Sequence, residues 1–398
     1  MDKIKDFLQK QRWFRSKDKI IKEIFIQEKI ILSQYEILFL KVIYENTYEI
    51  YLTAFKRENN LYIIKDAFLE QEFLEIFLEK FFSNTQKINN IKIISTEQTN
   101  TCIIFNDGSS KLLLKLLRKI EEEDSPEKEF LEALNTKEQD KKISPQIISE
   151  IKYNNYFLGT IQSFEENEGN LWELITKVNN NKILKKLGAI TSKLHKKSFK
   201  NSNKIKGFES EVVSEQDIII WKQNYQILFN LAFVLIKKYN EDFSANLDLE
   251  KISMLKDKDK ILDILKQEKI YKIRIHGDYH LGQILENNQN LKIIDFEGEP
   301  IRTIQARKAK YLVFKDLAGM LRSFDYAEKY YKISINSKVF LDSYFENCEI
   351  DCKFLLESMD LNMQILEFFK IEKALYEFIY EFKNRKDWVH IPLSAISA

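Results

Sequence analysis

Two short apolar runs, each closed by a carboxylate and set a fixed distance apart, constrain this chain more than any other feature. The first passes through Arg274, His276, Gly277 and Asp278 to His280, Gly282, Gln283 and Leu285. About a dozen residues on, Ile293 and Ile294 lead into Asp295, Phe296, Glu297 and Gly298. From Trp172 onward the periodicity is mainly helical, so residues 273–296 read as a short β-rich patch inside a helical region. Phosphoryl transfer to a hydroxyl asks little covalent chemistry of a protein. It needs positioning, metal ions on the phosphates and a carboxylate beside the attacking oxygen. Asp278 supplies a carboxylate to accept the substrate proton, and Gln283 and Asp295 supply oxygen donors of the kind magnesium prefers. A zinc site built from His276, Asp278 and His280 is the rival reading. Those alternating residues converge only on an extended backbone, and His195 and His390 are the only other histidines.

The rest of the chain surrounds that patch with ordinary soluble-protein material. Its 398 residues favour two or three domains. A formal net charge of +1 gives no field directed at nucleic acid. The opening MDKIKDFLQKQRWF lacks the apolar core of a signal peptide. The greasiest run, 227–236, is broken by Asn230 and is too short to span a bilayer. Three cysteines (Cys102, Cys348 and Cys352) without a CxxC pair suit a reducing cytoplasm.

The pattern predicts three parts. Residues 1–90 read as a cap domain, with strands at 20–27, 30–32, 36–44, 49–55 and 61–64 and a helix over 67–82. Residues 91–164 read as an N-lobe. A hairpin turns at Asn106-Asp107-Gly108, Ser125-Pro126 opens a helix, and a second hairpin turns at Asn154-Asn155. Residues 165–398 form the helical C-lobe. Lys115, within an apolar strand, is placed to neutralise nucleotide phosphates, with Glu129 of the next helix as its ion-pair partner. Asn100 and Thr101 are candidates for backbone contacts to phosphate. In the C-terminal helix, Ile371, Leu375, Phe378 and Phe382 share a core face. Lys373, Tyr376 and Tyr380 share another, with rings and donors suited to a sugar.

The HGDxHxGQ segment followed by DFEGEP resembles the aminoglycoside-phosphotransferase-like kinases, and within them the maltokinases. That wider family usually has Asn where this chain has Gln283. The resemblance extends to Gln11-Arg12-Trp13-Phe14, to the stretch from Phe164 to Trp172, to Asp316 through Tyr326, and to Glu372 through Leu393. Arg15-Ser16 replaces the Gly-Gly that follows the QRWF opening in that family.

The resemblance implies an α+β, two-lobed, protein-kinase-like fold with an N-terminal β-rich cap and a mainly helical C-lobe. It implies ATP and Mg2+ as cofactors and transfer to the anomeric hydroxyl of maltose, giving maltose 1-phosphate for α-glucan synthesis; another sugar or amino sugar, such as glucosamine, and a non-catalytic binding module are the alternatives. It makes Asp278 the base and gives the metal to Gln283 and Asp295. ATP falls to Lys115, Glu129 and a hinge at Gln162, Ser163 and Phe164, and the acceptor to Asp278, His276, Asp325, Tyr326, Lys373, Tyr376 and Tyr380. It adds trehalose synthase as an associate; the chain itself reads as a cytoplasmic monomer or weakly associating protein with neither nucleic acid nor membrane as a partner.

Overall fold

The computed structural model describes residues 1–59, 61–82, 88–95, 100–121, 125–135, 142–178, 181–200, 205–299, 302–348 and 352–397. The chain forms two compact units: Met1–Glu132 with Pro145–Glu166, and Ala133–Ser144 with Asn167–Ala398.

In the first unit, α1 (Asp2–Lys10) precedes an antiparallel meander of β1 (Glu23–Leu32), β2 (Tyr35–Ile43), β3 (Tyr48–Glu58) and β4 (Leu61–Ile63). After α2 (Gln71–Phe81) come β5 (Asn89–Ser95), β6 (Asn100–Asn106), β7 (Lys111–Leu117), β8 (Lys119–Ile120), α3 (Pro126–Leu134), β9 (Ile147–Tyr153) and β10 (Tyr156–Ser163). The boundary between the units falls inside α3. β8 joins the first sheet by pairing with β3, and the second sheet runs β5-β6-β7-β10-β9.

The meander is buried on both faces, which is why β2 is almost continuously apolar rather than alternating. Ile37 and Phe39 point into one core, Leu38, Leu40 and Val42 into the other. The first core also holds Phe68, Phe73 and Phe77, together with Leu112, Leu114 and Ile161 of the second sheet. The segments expected to be separate cap and N-lobe therefore share one hydrophobic interior, and residue 90 marks no break in packing.

Two further expectations change. The strands expected at 20–27 and 30–32 are one strand, β1: Glu28 and Lys29 pair regularly with Phe39 and Leu38, and the bulge falls at Gln27. The helix expected over 67–82 breaks at Glu70, which is extended. Its first turn is a separate 3₁₀ turn, capped where Asp66 Oδ1 accepts from the Phe68 N–H. Asp66 Oδ2 is held independently by the fully buried Arg118, 2.6 Å away.

The second unit is mainly helical: α4 (Leu171–Val178), α5 (Asn181–Lys200), α6 (Glu215–Phe243), α7 (Leu249–Met254), α8 (Ile304–Lys308), α9 (Phe314–Tyr331), α10 (Ser337–Glu346), α11 (Met359–Asn384) and α12 (His390–Ser397). Its short strands form two small sheets. β11 (Gly169–Asn170) pairs with β14 (Ile284–Asn287), which pairs with β15 (Asn290–Ile293). β12 (Glu211–Val212) and β16 (Lys310–Tyr311) flank β13 (Tyr271–Arg274). These sheets carry the segment that the sequence marked out. No helix among the described residues is long and apolar enough to cross a membrane.

Candidate active site

β13 delivers the chain into a loop that turns at Gly277, whose φ of 82° lies in the region side-chain-bearing residues avoid. Asp278 follows. The loop is pinned from below by Asp316 of α9: the N–H of His276 donates to its Oδ2 at 2.8 Å, and the N–H of Gly277 to its Oδ1 at 2.9 Å. Asp316 is itself seated by His195, whose Nε2 lies 3.2 Å from Oδ2 while Nδ1 lies 2.8 Å from the Tyr344 hydroxyl. A carboxylate only accepts, so Nε2 carries the proton and Nδ1 accepts from Tyr344. Gly319 lets α9 approach this closely, since a Cβ there would stand 2.7 Å from the Tyr279 carbonyl oxygen.

His276 ties the two acidic strand ends together. Its Nε2 donates to the carbonyl of Ile294, the residue before Asp295, at 3.0 Å, and its Nδ1 accepts from the N–H of Asp278 at 3.4 Å. The ring is 1% exposed and makes no part of the cleft wall. His276 thus positions the loop, which corrects its assignment as a substrate contact. With both ring nitrogens committed to backbone groups it is no zinc ligand either. Among the described residues, no group of three or more His, Cys, Asp and Glu side chains is placed to hold a metal on its own.

Gln283 closes the 3₁₀ turn Leu281–Gln283, and its Nε2 donates to Asp295 Oδ2 at 3.1 Å. Asp295 has a φ of 62°, a left-handed conformation that is costly for a side-chain-bearing residue and concentrates at functional sites. The amide oxygen of Gln283 and the carboxylate of Asp295 are hard donors of the kind a magnesium ion takes. His280 lines the cleft with Nδ1 accepting from the Gly282 N–H. Burial lowers its pKa, against the opposing field of Asp278, so the ring stays neutral near pH 7.

The cleft in front of Asp278 has a volume of about 900 Å³. Its walls carry Lys373, Tyr376 and Tyr380 of α11 and Tyr326 of α9, all expected from the sequence. Asp325 is not among them. It turns to the other side of α9, where it accepts from Arg322 Nη1 at 2.7 Å and lines a separate, smaller depression. One residue along a helix is a rotation of about 100°, enough to separate Tyr326 from its neighbour.

The charged residues of the cleft come in pairs that the sequence reading missed. Lys373 Nζ donates to Glu299 Oε1 at 2.7 Å, and Arg302 binds the other oxygen of Glu299. Arg322 Nε donates to Glu377 at 2.8 Å, Arg385 Nε to Glu381 at 2.8 Å, and Lys315 lies 3.2 Å from Glu372. Burial pushes the Glu299 carboxyl up, but Lys373 and Arg302 outweigh it and hold the group at about 2. Burial disfavours the Lys373 ammonium, yet Glu299 and then Asp278 raise its pKa above the usual lysine value. The i, i+4 spacing of Lys373, Glu377 and Glu381 was the available signal for the partners on α11. Nothing local in the sequence marks Asp316 as the anchor of a loop some forty residues away.

The first unit holds the other expected group. Lys115, on β7, is 7% exposed, and its Nζ lies 3.0 Å from Glu127 Oε2. A carboxylate that pairs with it is Glu127, two positions before the expected Glu129 on α3. β10 runs through to Ser163, so the N–H groups of Ser163 and Phe164 donate to the carbonyls of Gln146 and Lys111. These expected adenine-reading donors are spent within the unit. Gln162 is buried and donates to Thr160 Oγ1 at 2.9 Å. Thr101 is fully buried beside Arg118, 3.3 Å from Nη1, which removes it as a phosphate contact.

The architecture is α+β: the two-lobed, protein-kinase-like fold, with a β-rich N-terminal portion and a mainly helical C-terminal one. Solved glucosamine kinases have a similar fold. One crystal form superposes with a TM-score of 0.68 over 96% of this chain and 94% of that one, at 14% identity. The complex with glucosamine, ADP and inorganic phosphate gives 0.65 over 97% and 96%, at 13% identity. No model of a known protein family matches the chain. In sequence it is similar to glucosamine kinases from Streptacidiphilus jiangxiensis (24% identical over 135 residues, 30% of each chain) and from Mycolicibacterium smegmatis (25% over 136 residues, 31% of this chain and 33% of that one). The matched region spans about a third of the length of these curated relatives.

Proposed function

We propose that the protein transfers the γ-phosphoryl group of ATP to the anomeric hydroxyl of maltose, giving maltose 1-phosphate and ADP. The observation that carries this reading is the loop in which His276 ties Asp278 to the strand end bearing Asp295, with Gln283 against that carboxylate, at the floor of an aromatic, hydroxyl-rich cleft. Asp278 accepts the hydroxyl proton as the new O–P bond forms and the bond to the β-phosphate oxygen breaks. Magnesium held by Gln283 and Asp295 would neutralise charge on the phosphates. Lys115, oriented by Glu127, serves the same end from the nucleotide side.

The charge pairs of the cleft support a neutral acceptor. Glu299, Glu372, Glu377 and Glu381 each have a cation of their own. An ammonium-bearing sugar would have to compete with one of these cations or turn to Asp278, whereas hydroxyl groups can bridge the existing pairs. The names of the relatives favour a second reading, an amino sugar such as glucosamine. Purified protein with Mg-ATP, offered maltose, glucose and glucosamine, decides between the two. Product formed from glucosamine and none from maltose would overturn the maltose assignment. Asp278→Asn should lower turnover by roughly a hundred- to ten-thousand-fold while nucleotide binding, followed by calorimetry, persists. An unchanged rate would remove Asp278 from the chemistry.

A further inference from the structure

α9 and α11 lie side by side and run in the same direction. The pairs between them advance in step: Lys315 with Glu372, Arg322 with Glu377, Tyr326 with Glu381, and Tyr330 with Trp388 just beyond the end of α11. The catalytic loop sits at the early part of this track, where Gly319 meets the Tyr279 carbonyl and Ser323 Oγ accepts from the Leu281 N–H at 3.1 Å. Lys373 and Tyr376, the α11 residues that sense the Asp278 charge, lie at the same level.

From there the cleft continues away from Asp278. Tyr330 is seven residues past Ser323, about 10 Å of helix, and Arg385 is twelve past Lys373, about 18 Å. At that far end stands a cluster of rings. Trp388 stacks on Tyr330 at 5.3 Å and on Tyr326 at 5.9 Å, and Trp172 lies 5.8 Å from Tyr330. All four line the cleft, and Tyr330 is 56% exposed. Large rings left open to water beside donors such as Arg385 suit the apolar faces and hydroxyl rims of successive sugar rings. Two rings seated from Asp278 and Lys373 would cover about 10 Å, the helix length from Lys373 to Tyr380, short of the roughly 18 Å to Arg385 and the Trp388 just past it.

We infer that the acceptor site is built for linear α-1,4-linked glucose chains longer than maltose, with the Trp172–Tyr330–Trp388 cluster as a subsite for the third ring. This inference rests on the sugar-kinase reading above and extends its substrate class. The test measures kcat/KM for maltose, maltotriose and maltotetraose with Mg-ATP, and their Kd by calorimetry, for the intact chain and for Tyr330→Ala and Trp388→Ala. A filled third subsite improves kcat/KM and Kd for maltotriose over maltose by on the order of tenfold. Either substitution then shrinks that ratio. Tyr330 is exposed enough to be replaced with little risk to folding, so the test survives misfolding of the Trp388 variant. Maltotriose no better than maltose, or a preference untouched by Tyr330→Ala, overturns the inference while leaving the maltose reading intact. Absence of both transfer and binding with every glucose oligomer removes both.

Discussion

Glu299 sits where two cations compete with the cost of burial, and the outcome is measurable. Its pKa falls from 4.5 to about 2 because Lys373 and Arg302 outweigh desolvation. A carboxyl with a depressed folded-state pKa contributes stability in full above its unfolded value and loses it as pH falls through the folded one. The contribution of Glu299 is therefore complete above about pH 4.5 and disappears progressively toward pH 2. Glu299→Gln should flatten the acid limb of a stability-versus-pH curve taken by denaturant titration. A wild-type slope retained in that variant would assign the acid sensitivity to other groups. The sequence showed Glu299 as a letter in a motif but gave no hint of its partners, since Lys373 lies 74 residues away. Asp278, Gln283 and Asp295 were legible because their spacing is local. Lys373, Tyr376 and Tyr380 were readable as one helical face, while Tyr326 came only with the resemblance. His276 could be read from the sequence either as a support of the loop or as a substrate contact, and only the fold shows both of its nitrogens against backbone groups.

At the scale of elements, close helix contacts carry the second unit. α5 and α10 approach at Gly188, where an added Cβ would lie 2.3 Å from the Phe340 carbonyl oxygen. Alanine has the better helix propensity by about 1 kcal/mol, but the clash is with backbone that cannot swing aside. Overpacking of this kind costs about 1–3 kcal/mol. Gly188→Ala is expected to lower the denaturation midpoint, and a raised midpoint would show that the helices can part without loss. Element types were largely readable from periodicity. What the sequence concealed were the departures from it: the bulge that joins two apparent strands into β1, and the extended Glu70 that splits one apparent helix. Both depend on residues distant in the chain: the bulge opens opposite Phe39 and Leu40 of the neighbouring strand, and Arg118 holds Asp66 at the head of the 3₁₀ turn.

For the whole molecule, a bound nucleotide should register as stability. A ligand that binds only the folded chain, at a hundred times its Kd, adds about 2.7 kcal/mol. Mg-ATP should therefore raise the melting temperature, and ATP with a chelator should raise it less. Identical melting curves with and without Mg-ATP would count against a nucleotide site of any kind. The common interior of the two N-terminal sheets has a consequence for truncation. Phe39, Leu52, Phe68 and Phe73 press on the same core as Leu112, Leu114 and Ile161. A chain inheriting only residues 91–398 would carry a bare oily flank into the cell. The first ninety residues are therefore no appendage that could be cut away without cost, since a replacement on one side of this interior is felt by the side chain it meets on the other.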